Sequence, residues 1–164
     1  MENPILKHPF GPFIFNDSKI LILGTFPSIK SFEDKFYYSN PKNQFWKILS
    51  KIFNEKIPLT IQEKKEFLKK HKIALWDVCC KCRRKKNTSS DKDLEIIEPC
   101  NILNLLKKYP NIKKIVTTSK EAQKNLKKEL GIDSIYLPSP SSSNAHYTFE
   151  EKVERWKKEL LELM

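Results

Sequence analysis

Hydrophobic and polar residues follow two distinct patterns along the chain. Four short, nearly continuous apolar runs predict buried strands, at residues 19–24, 73–78, 114–118 and 134–137. Elsewhere apolar residues recur every three or four positions, which predicts amphipathic helices at about 44–53, 61–71, 102–109, 120–130 and 149–163. Strands that alternate with helices predict an α/β fold: a three-layer α/β/α sandwich with a central four-stranded parallel sheet, in a single domain over residues 1–164.

Capping residues mark the ends of several of these helices. Thr60 and Thr148 each begin a Thr-x-x-Glu capping box, and Ser119 is a third residue of the type that caps helix N-termini. Gly131 follows the fourth helix, where a left-handed C-terminal cap favours glycine. These signals agree with the hydrophobic periodicity, so the strand and helix assignment rests on two independent features.

The charge balance points to a polyanionic partner. The 164 residues contain 31 Lys and Arg against 20 Asp and Glu, a formal net charge of +11. Such a surface favours nucleic acid first and an anionic membrane second, because cations that neutralise phosphates release counterions. A lysine-rich composition unrelated to binding is the alternative. The basic stretch at 79–92 is predicted to be a surface loop, and its cationic residues are expected to touch phosphates: Lys81, Arg83, Arg84, Lys85 and Lys86.

The remaining compositional features predict a simple, cofactor-free protein. No segment resembles a signal peptide or a membrane span, so we expect a cytoplasmic monomer whose four cysteines stay reduced. Cys79 and Cys82 have C-x-x-C spacing, but no second such pair or nearby histidine completes a metal-ligand set. We therefore expect ordinary thiols, no metal and no cofactor.

Two loops at the carboxyl ends of the predicted strands carry unusual chemistry. Ligands of parallel α/β sheets bind at these ends. The loop after the first strand leads into residues 36–46, which hold several aromatic rings and Asn43. An aromatic face and a polar group that orients water are what a flipped nucleobase requires, although the rings can equally be core and Asn43 a helix cap.

The loop after the fourth strand, residues 138–146, is rich in Pro and Ser. A rigid loop of small residues can approach a phosphate backbone closely, and the alternative is a plain solvent loop. The residues expected to contact DNA here are Ser139, Pro140, Ser141, Ser142 and Asn144.

Four motifs together resemble the uracil-DNA glycosylase superfamily. They are GTFPS at 24–28, YYxxPxNxFW at 37–46, LWDV at 75–78 and LPSPSSSNA at 137–145. Within that superfamily the chain is most similar to the hypoxanthine-DNA glycosylase group, followed by the mismatch-specific uracil-DNA glycosylases. The resemblance spans about residues 8–160 and implies a monofunctional enzyme that flips a deaminated base out of DNA and hydrolyses its N-glycosidic bond.

The resemblance also implies roles for particular residues. Asn43 matches the asparagine to which the activity of the hypoxanthine group is attributed, and Tyr38 matches the aromatic residue that stacks on the extruded base. Phe26 and Leu137 depart from the polar residues of typical uracil enzymes, so Asn43 carries more of the expected chemistry. The full base-binding set is expected to be Gly24, Thr25, Phe26, Pro27, Ser28, Tyr38 and Asp77.

Several alternatives remain open at this point. Asp77 is either an auxiliary carboxylate or a structural cap. His8 and His146 could each donate to a base or a phosphate, and a surface or structural role is the favoured alternative. The preferred lesion is hypoxanthine, uracil or both. A non-catalytic DNA-binding or damage-sensing module of the same fold is the main alternative function, and a flavodoxin-like nucleotide-binding protein is a weaker one because no glycine-rich phosphate motif is present.

Overall fold

The structure, a computed structural model, describes residues 4–27, 29–84, 94–142 and 144–161. Within these ranges the strands are β1 (Ile5–Lys7), β2 (Ile20–Gly24), β3 (Ile73–Asp77), β4 (Cys79–Arg84), β5 (Leu94–Pro99), β6 (Lys114–Thr117) and β7 (Ile135–Tyr136). The helices are α1 (Ile29–Asp34), α2 (Phe45–Phe53), α3 (Ile61–Lys70), α4 (Ile102–Lys108), α5 (Lys120–Leu130) and α6 (Phe149–Leu161).

The four apolar runs form one parallel sheet, as predicted. Its strand order is β3-β2-β6-β7. The register sets Gly24 opposite Asp77, and Leu23 opposite Thr117. The carboxyl ends of β2, β3 and β6 therefore form one edge, from which several loops emerge together.

Both faces of this sheet are covered by helices, which confirms the three-layer sandwich. Ile20 and Ile22 point to a core that also contains buried side chains of α2, α3 and α6. Leu21 and Leu23 point to the opposite core, with buried side chains of α4 and α5. A strand buried on both faces must be apolar at every position, which explains why β2 reads as an uninterrupted hydrophobic run.

The observed caps hold the helices where the sequence predicts them. Thr60 forms the full capping box, and Thr148 makes the same reciprocal bonds with Glu151. Ser119 Oγ accepts from the backbone N–H of Ala122, and Gly131 ends α5 with φ +68°. The loop between β2 and α2 also contains the short helix α1, which the sequence pattern did not predict.

The prediction of a surface loop at 79–92 is wrong for residues 79–84. These residues form β4, the middle strand of an antiparallel sheet ordered β1-β4-β5. Two register shifts interrupt the β4–β5 pairing near Lys81. Because these irregularities break the period of two that identifies a strand, Cys79, Cys82 and Arg84 are buried without a regular hydrophobic alternation.

The expectation of four free thiols is also wrong. Cys80 forms a disulfide with Cys100, whereas Cys79 and Cys82 are free and buried beneath Phe26. A hydrogen bond with Cys82, together with burial, raises the pKa of the Cys79 thiol far above its usual range. In the described ranges, no three His, Cys, Asp or Glu side chains lie together in a way that could hold a metal ion.

No helix in the described ranges combines the length and the apolar character needed to cross a membrane.

Candidate active site

A cleft opens at the carboxyl edge of the parallel sheet. Its walls come from the ends of β2 and β3, from the segment that leads into α2, and from the loops after β6 and β7. The residues that line it are Gly24, Thr25, Phe26, Pro27, Ser31, Tyr37, Tyr38, Asn40, Lys42, Asn43, Asp77, Thr118, Ser119, Ser139, Pro140, Ser141 and Ser142. The two loops that the sequence singled out therefore face each other across one depression.

The loop after β2 is fixed by backbone bonds and by a close approach at Gly24. The carbonyl oxygens of Gly24 and Thr25 accept from the N–H groups of Val78 and Cys79. A Cβ at position 24 would lie 2.7 Å from Asp77 Oδ1, closer than real Cβ contacts, so the carboxylate would have to shift. Glycine is needed here because it lets the carboxylate reach the end of β2.

Asp77 is held at the floor of the cleft by His8. The distance from His8 Nε2 to Asp77 Oδ2 is 2.7 Å, and both side chains are almost fully buried. The backbone N–H of Phe10 donates to His8 Nδ1 at 3.4 Å, so that nitrogen is an acceptor. These partners fit the Nε2–H tautomer of His8, in which Nε2 donates to Asp77 Oδ2.

Tyr38 stands in a strained conformation beside the cleft. Its φ of +52° lies in the left-handed region, which costs a non-glycine residue about 1–3 kcal/mol. The ring stacks on Phe45, with centroids 3.9 Å apart and planes 12° from parallel. The carbonyl of Tyr38 accepts from Trp46 Nε1. Contacts from the start of α2 therefore hold the ring against the wall of the cleft.

Asn43 is half-buried and lies just before the N-terminus of α2. Its Oδ1 accepts from the backbone N–H of Phe45 at 2.9 Å, and its own N–H donates to Asn40 O. An amide oxygen has two lone pairs, so this bond leaves capacity for a second donor such as water. The N-cap of α2 is Gln44, and it makes no side-chain cap bond. The contact from Phe45 N–H therefore orients the Asn43 amide without making Asn43 the N-cap, and this orientation is compatible with a chemical role.

The carbonyl oxygens of the loop after β7, hereafter the serine loop (residues 138–142), point into the protein. Trp156 Nε1 donates to Pro138 O, and Asn144 Nδ2 donates to Ser139 O. Gln44 N donates to Pro140 O, and Lys152 Nζ donates to Ser141 O. A loop whose carbonyls are bound internally presents less negative potential to the solvent side, which suits an anion.

Comparison with known proteins agrees with this architecture. A family model described as the uracil DNA glycosylase superfamily matches residues 12–163. The chain belongs to the uracil DNA glycosylase superfamily. A curated relative named hypoxanthine DNA glycosylase, from Methanosarcina barkeri (strain Fusaro / DSM 804), is 34% identical over 143 residues, which cover 84% of this chain and 88% of the relative.

Two further matches extend over nearly the whole glycosylase. A second curated protein named hypoxanthine DNA glycosylase, from Methanosarcina acetivorans, is 29% identical and covers 92% of this chain and 96% of that protein. A solution NMR structure from the same species, described as a candidate uracil DNA glycosylase, has a TM-score of 0.79 and 28% identity, covering 98% and 99% of the two chains. The family and these relatives make the chain a DNA glycosylase.

Part of the basic segment is paired with acidic side chains or buried. Lys81 Nζ lies 3.3 Å from Glu98, and Arg83 lies 3.6 Å from Glu95, both on β5. Arg84 is buried, and its Nη2 donates to Pro27 O at 2.7 Å. Arg84 is therefore not expected to contact phosphate, because its guanidinium is buried and supports the loop after β2. Lys85, Lys86 and the base-binding candidate Ser28 lie outside the described residues.

Sequence reasoning missed several residues that shape the cleft of the glycosylase. His8 meets Asp77 across 69 residues of chain, and no local pattern announces such a contact. Tyr37 donates to Gly11 O, and burial with the nearby Asp77 charge raises its pKa well above the usual range, so it stays a neutral phenol. Asn144 holds Ser139 and Ser141 in the serine loop and does not line the cleft.

Proposed function

We propose that this glycosylase excises hypoxanthine from DNA by simple hydrolysis, with uracil as a second substrate. The observation that carries the proposal is the assembly of Asn43, Tyr38 and Asp77 around one cleft, opposite a loop suited to phosphate. The target nucleotide is flipped into the cleft, water replaces the base at C1′, and the base leaves with a proton. The names of the two curated relatives support hypoxanthine as the preferred base.

Asn43 is proposed to hold the attacking water. Cleavage of a deoxyribose N-glycosidic bond builds positive charge on the sugar and negative charge on the base. An amide cannot remove a proton, but its oxygen can bind a water beneath C1′ and turn a dipole toward the developing cation. The bond from Phe45 N–H to Asn43 Oδ1 supports this role because it keeps the amide preorganised.

Asp77 is proposed to recognise the deaminated edge of the base. Deamination of adenine or cytosine turns a ring nitrogen from an acceptor into an N–H donor, beside a new carbonyl. A carboxylate accepts from that N–H and repels the lone pair of the undamaged base. His8, donating to Asp77 Oδ2, keeps the carboxylate in place, and backbone N–H groups of residues 24–28 are proposed to bind the carbonyl.

Two buried residues support hypoxanthine, rather than uracil, as the preferred base. Phe26 packs on Cys79 and Cys82, and Leu137 lies in the core beneath the serine loop. Typical uracil enzymes have polar residues at these places, as noted above. Since neither side chain can activate water or donate to the base, the chemistry depends on Asn43.

The serine loop is proposed to bind backbone phosphates of the flipped strand. Ser139, Pro140, Ser141 and Ser142 line the cleft, so a phosphate bound there lies near the flipped sugar. Contacts of this kind fix the register of the DNA and carry no sequence information. Lys42, exposed on the opposite wall, is a further candidate for phosphate contact.

The proposal is tested by single-turnover excision on oligonucleotides that contain inosine, uracil, xanthine or no lesion. We expect release of hypoxanthine at least as fast as release of uracil, and no release from undamaged DNA. Uracil release without any hypoxanthine release would contradict the proposed substrate. Binding without release of any base would support the non-catalytic alternative instead.

Asn43→Ala should lower the single-turnover rate constant by about 10²- to 10³-fold, the usual effect of losing one preorganised polar group. Asn101→Ala is a matched control, because Asn101 Oδ1 also accepts from a backbone N–H at the start of a helix, that of Asn104 in α4, away from the cleft. Each variant loses one bond between a side chain and the backbone, worth about 1 kcal/mol of stability and measurable by thermal unfolding. Equal excision rates in the two variants would show that Asn43 has only a structural role.

A further inference from the structure

Lys152 is a buried cation beneath the cleft, on α6. It is 1% exposed, and its Nζ donates to Gln44 Oε1 at 2.7 Å and to Ser141 O at 3.1 Å. Burial lowers the pKa of the ammonium. Both acceptors are uncharged oxygens, so they compensate the loss of hydration less than a carboxylate would.

The two acceptors belong to different segments beside the cleft. Gln44 directly follows Asn43, and Ser141 belongs to the serine loop. The segments meet again where Gln44 N donates to Pro140 O at 2.8 Å. One turn further along α6, Trp156 Nε1 donates to Pro138 O. The Lys152 ammonium thus links the segment that contains Asn43 to the serine loop.

The stability of the fold does not by itself account for a cation here. Desolvating an ammonium is costly, and replacing buried ionic groups by apolar side chains of similar volume is often neutral or stabilising. A methionine would fill much the same space in α6. A hydrogen-bonding side chain of this length adds a second link between the two segments, beside the backbone bond from Gln44 N–H to Pro140 O.

We propose that Lys152 is a positioning residue of the excision reaction: it clamps the Asn43 segment to the serine loop. The proposal rests on the proposed function, in which one wall holds the attacking water and the other anchors the phosphate of the flipped nucleotide. A fixed separation then sets C1′ at the distance from Asn43 that the reaction requires. Misplacement of reacting groups by about 1 Å typically costs about 10²-fold in rate.

Lys152→Met tests the clamp, with Lys157→Met as the matched control on the exposed side of the same helix. We expect Lys152→Met to lower the single-turnover rate constant by about 10²-fold, with a much smaller loss of affinity for lesion DNA. Lys157→Met should retain the wild-type rate constant. A fall in affinity with an unchanged rate constant would overturn the proposal, because Lys152 would then act only as a DNA-attracting charge.

Gln44→Leu is a second test of the clamp. It keeps Lys152 and removes the Gln44 oxygen to which the ammonium donates. If Lys152 acts through Gln44, the rate loss of the double variant is smaller than the product of the two single losses. Losses that multiply would show independent action and overturn the clamp. Should Lys152→Met fail to fold, the comparison of Gln44→Leu with wild type still decides: a wild-type rate constant rejects the proposal.

Amide hydrogen exchange separates failure of the clamp from failure of the proposed function. Lys152→Met should accelerate exchange in residues 40–46 and in the serine loop, and Lys157→Met should leave both unchanged. This readout needs no substrate. Faster exchange with no base excised by the wild-type protein retains the clamp and rejects the proposed function, whereas unchanged exchange rejects the clamp.

Discussion

At the residue scale, Gly24 leaves room for the Asp77 carboxylate at the end of β2. The carboxylate occupies the space that any other residue at position 24 would need for its Cβ. Gly11 offers a contrast, since a Cβ there would meet nothing within 4 Å. Gly24 is therefore sensitive to substitution, whereas Gly11 has room for a larger side chain.

Gly24→Ala should destabilise the protein by about 1–3 kcal/mol, the usual cost of overpacking, and should slow base excision because Asp77 must move. Gly11→Ala should leave both properties near wild type. Thermal unfolding and single-turnover excision on the two variants check this expectation. An active Gly24→Ala variant of wild-type stability would mean that Asp77 moves without consequence.

Tyr38 is the second residue whose conformation is explained by the cleft. Its positive φ is a local strain that the contacts with Phe45 and Trp46 maintain. Strain of this kind concentrates at functional sites because the surrounding structure must over-determine it. The stacked ring, fixed before any base arrives, fits the role of a stacking surface.

Tyr38→Ala should weaken binding of inosine-containing DNA by about 1–3 kcal/mol, the free energy of one lost stacking contact. The measurement is best made with Asn43→Ala as background, so that the substrate stays intact. Tyr38→Phe keeps the ring and should bind like the parent. If removal of the ring leaves the affinity unchanged, Tyr38 is a wall residue and does not stack on the base.

At the scale of elements, β4 supports the cleft from outside the central sheet. It follows Asp77 almost immediately, and Arg84 at its end holds the carbonyl of Pro27. The Cys80–Cys100 disulfide links β4 to the segment between β5 and α4. β4 is thus connected to the loop after β2 through Arg84, and to the segment before α4 through the disulfide.

Reduction of the disulfide should lower the free energy of unfolding by about 3 kcal/mol, as expected for a cross-link that closes a loop of this length. The two cysteines are 20 residues apart. Chemical denaturation with and without reductant measures the difference. Cys100→Ser should be insensitive to reductant; if it responds as strongly as wild type, the effect does not arise from this bond.

At the scale of the whole molecule, the basic side chains behind the net charge of +11 differ in their surroundings. Lys81 and Arg83 are paired with glutamates of β5, whereas Lys42 is exposed on the wall of the cleft. Only cations that neutralise phosphates contribute to the salt dependence of binding. The contribution of each lysine therefore depends on its neighbours rather than on the composition.

DNA binding should weaken steeply as salt rises, and Lys42→Gln should reduce the slope of log K against log salt by about 0.9, the value for one lost phosphate contact. Lys81→Gln should leave the slope unchanged. Affinity measured between low and moderate salt on the same oligonucleotide tests both variants. Equal slopes for wild type and Lys42→Gln would remove Lys42 from the DNA-binding surface.

The central layers of this protein could be predicted from the order of its residues. Strands buried on both faces must be apolar throughout, and helices packed on one face must be periodic, so β2 and α6 are legible in the order of residues. The caps at Thr60, Ser119 and Gly131 depend on neighbours within four positions, and they were predicted for the same reason. The loop that leads to Asn43 and the serine loop were selected because parallel strands end at one edge, and the family resemblance then pointed to Asn43 itself.

Contacts between distant segments could not be predicted from the sequence and are seen in the tertiary structure alone. The irregular register of β4 hid a strand behind a basic sequence, and the pairing of Cys80 with Cys100 depends on that strand. His8 reaches Asp77 across 69 residues, and Lys152 reaches Gln44 across 108. Such contacts stem from how the layers pack, and no local spacing encodes them. The sequence therefore predicts which loops hold the chemistry, and the packing decides which side chains orient it.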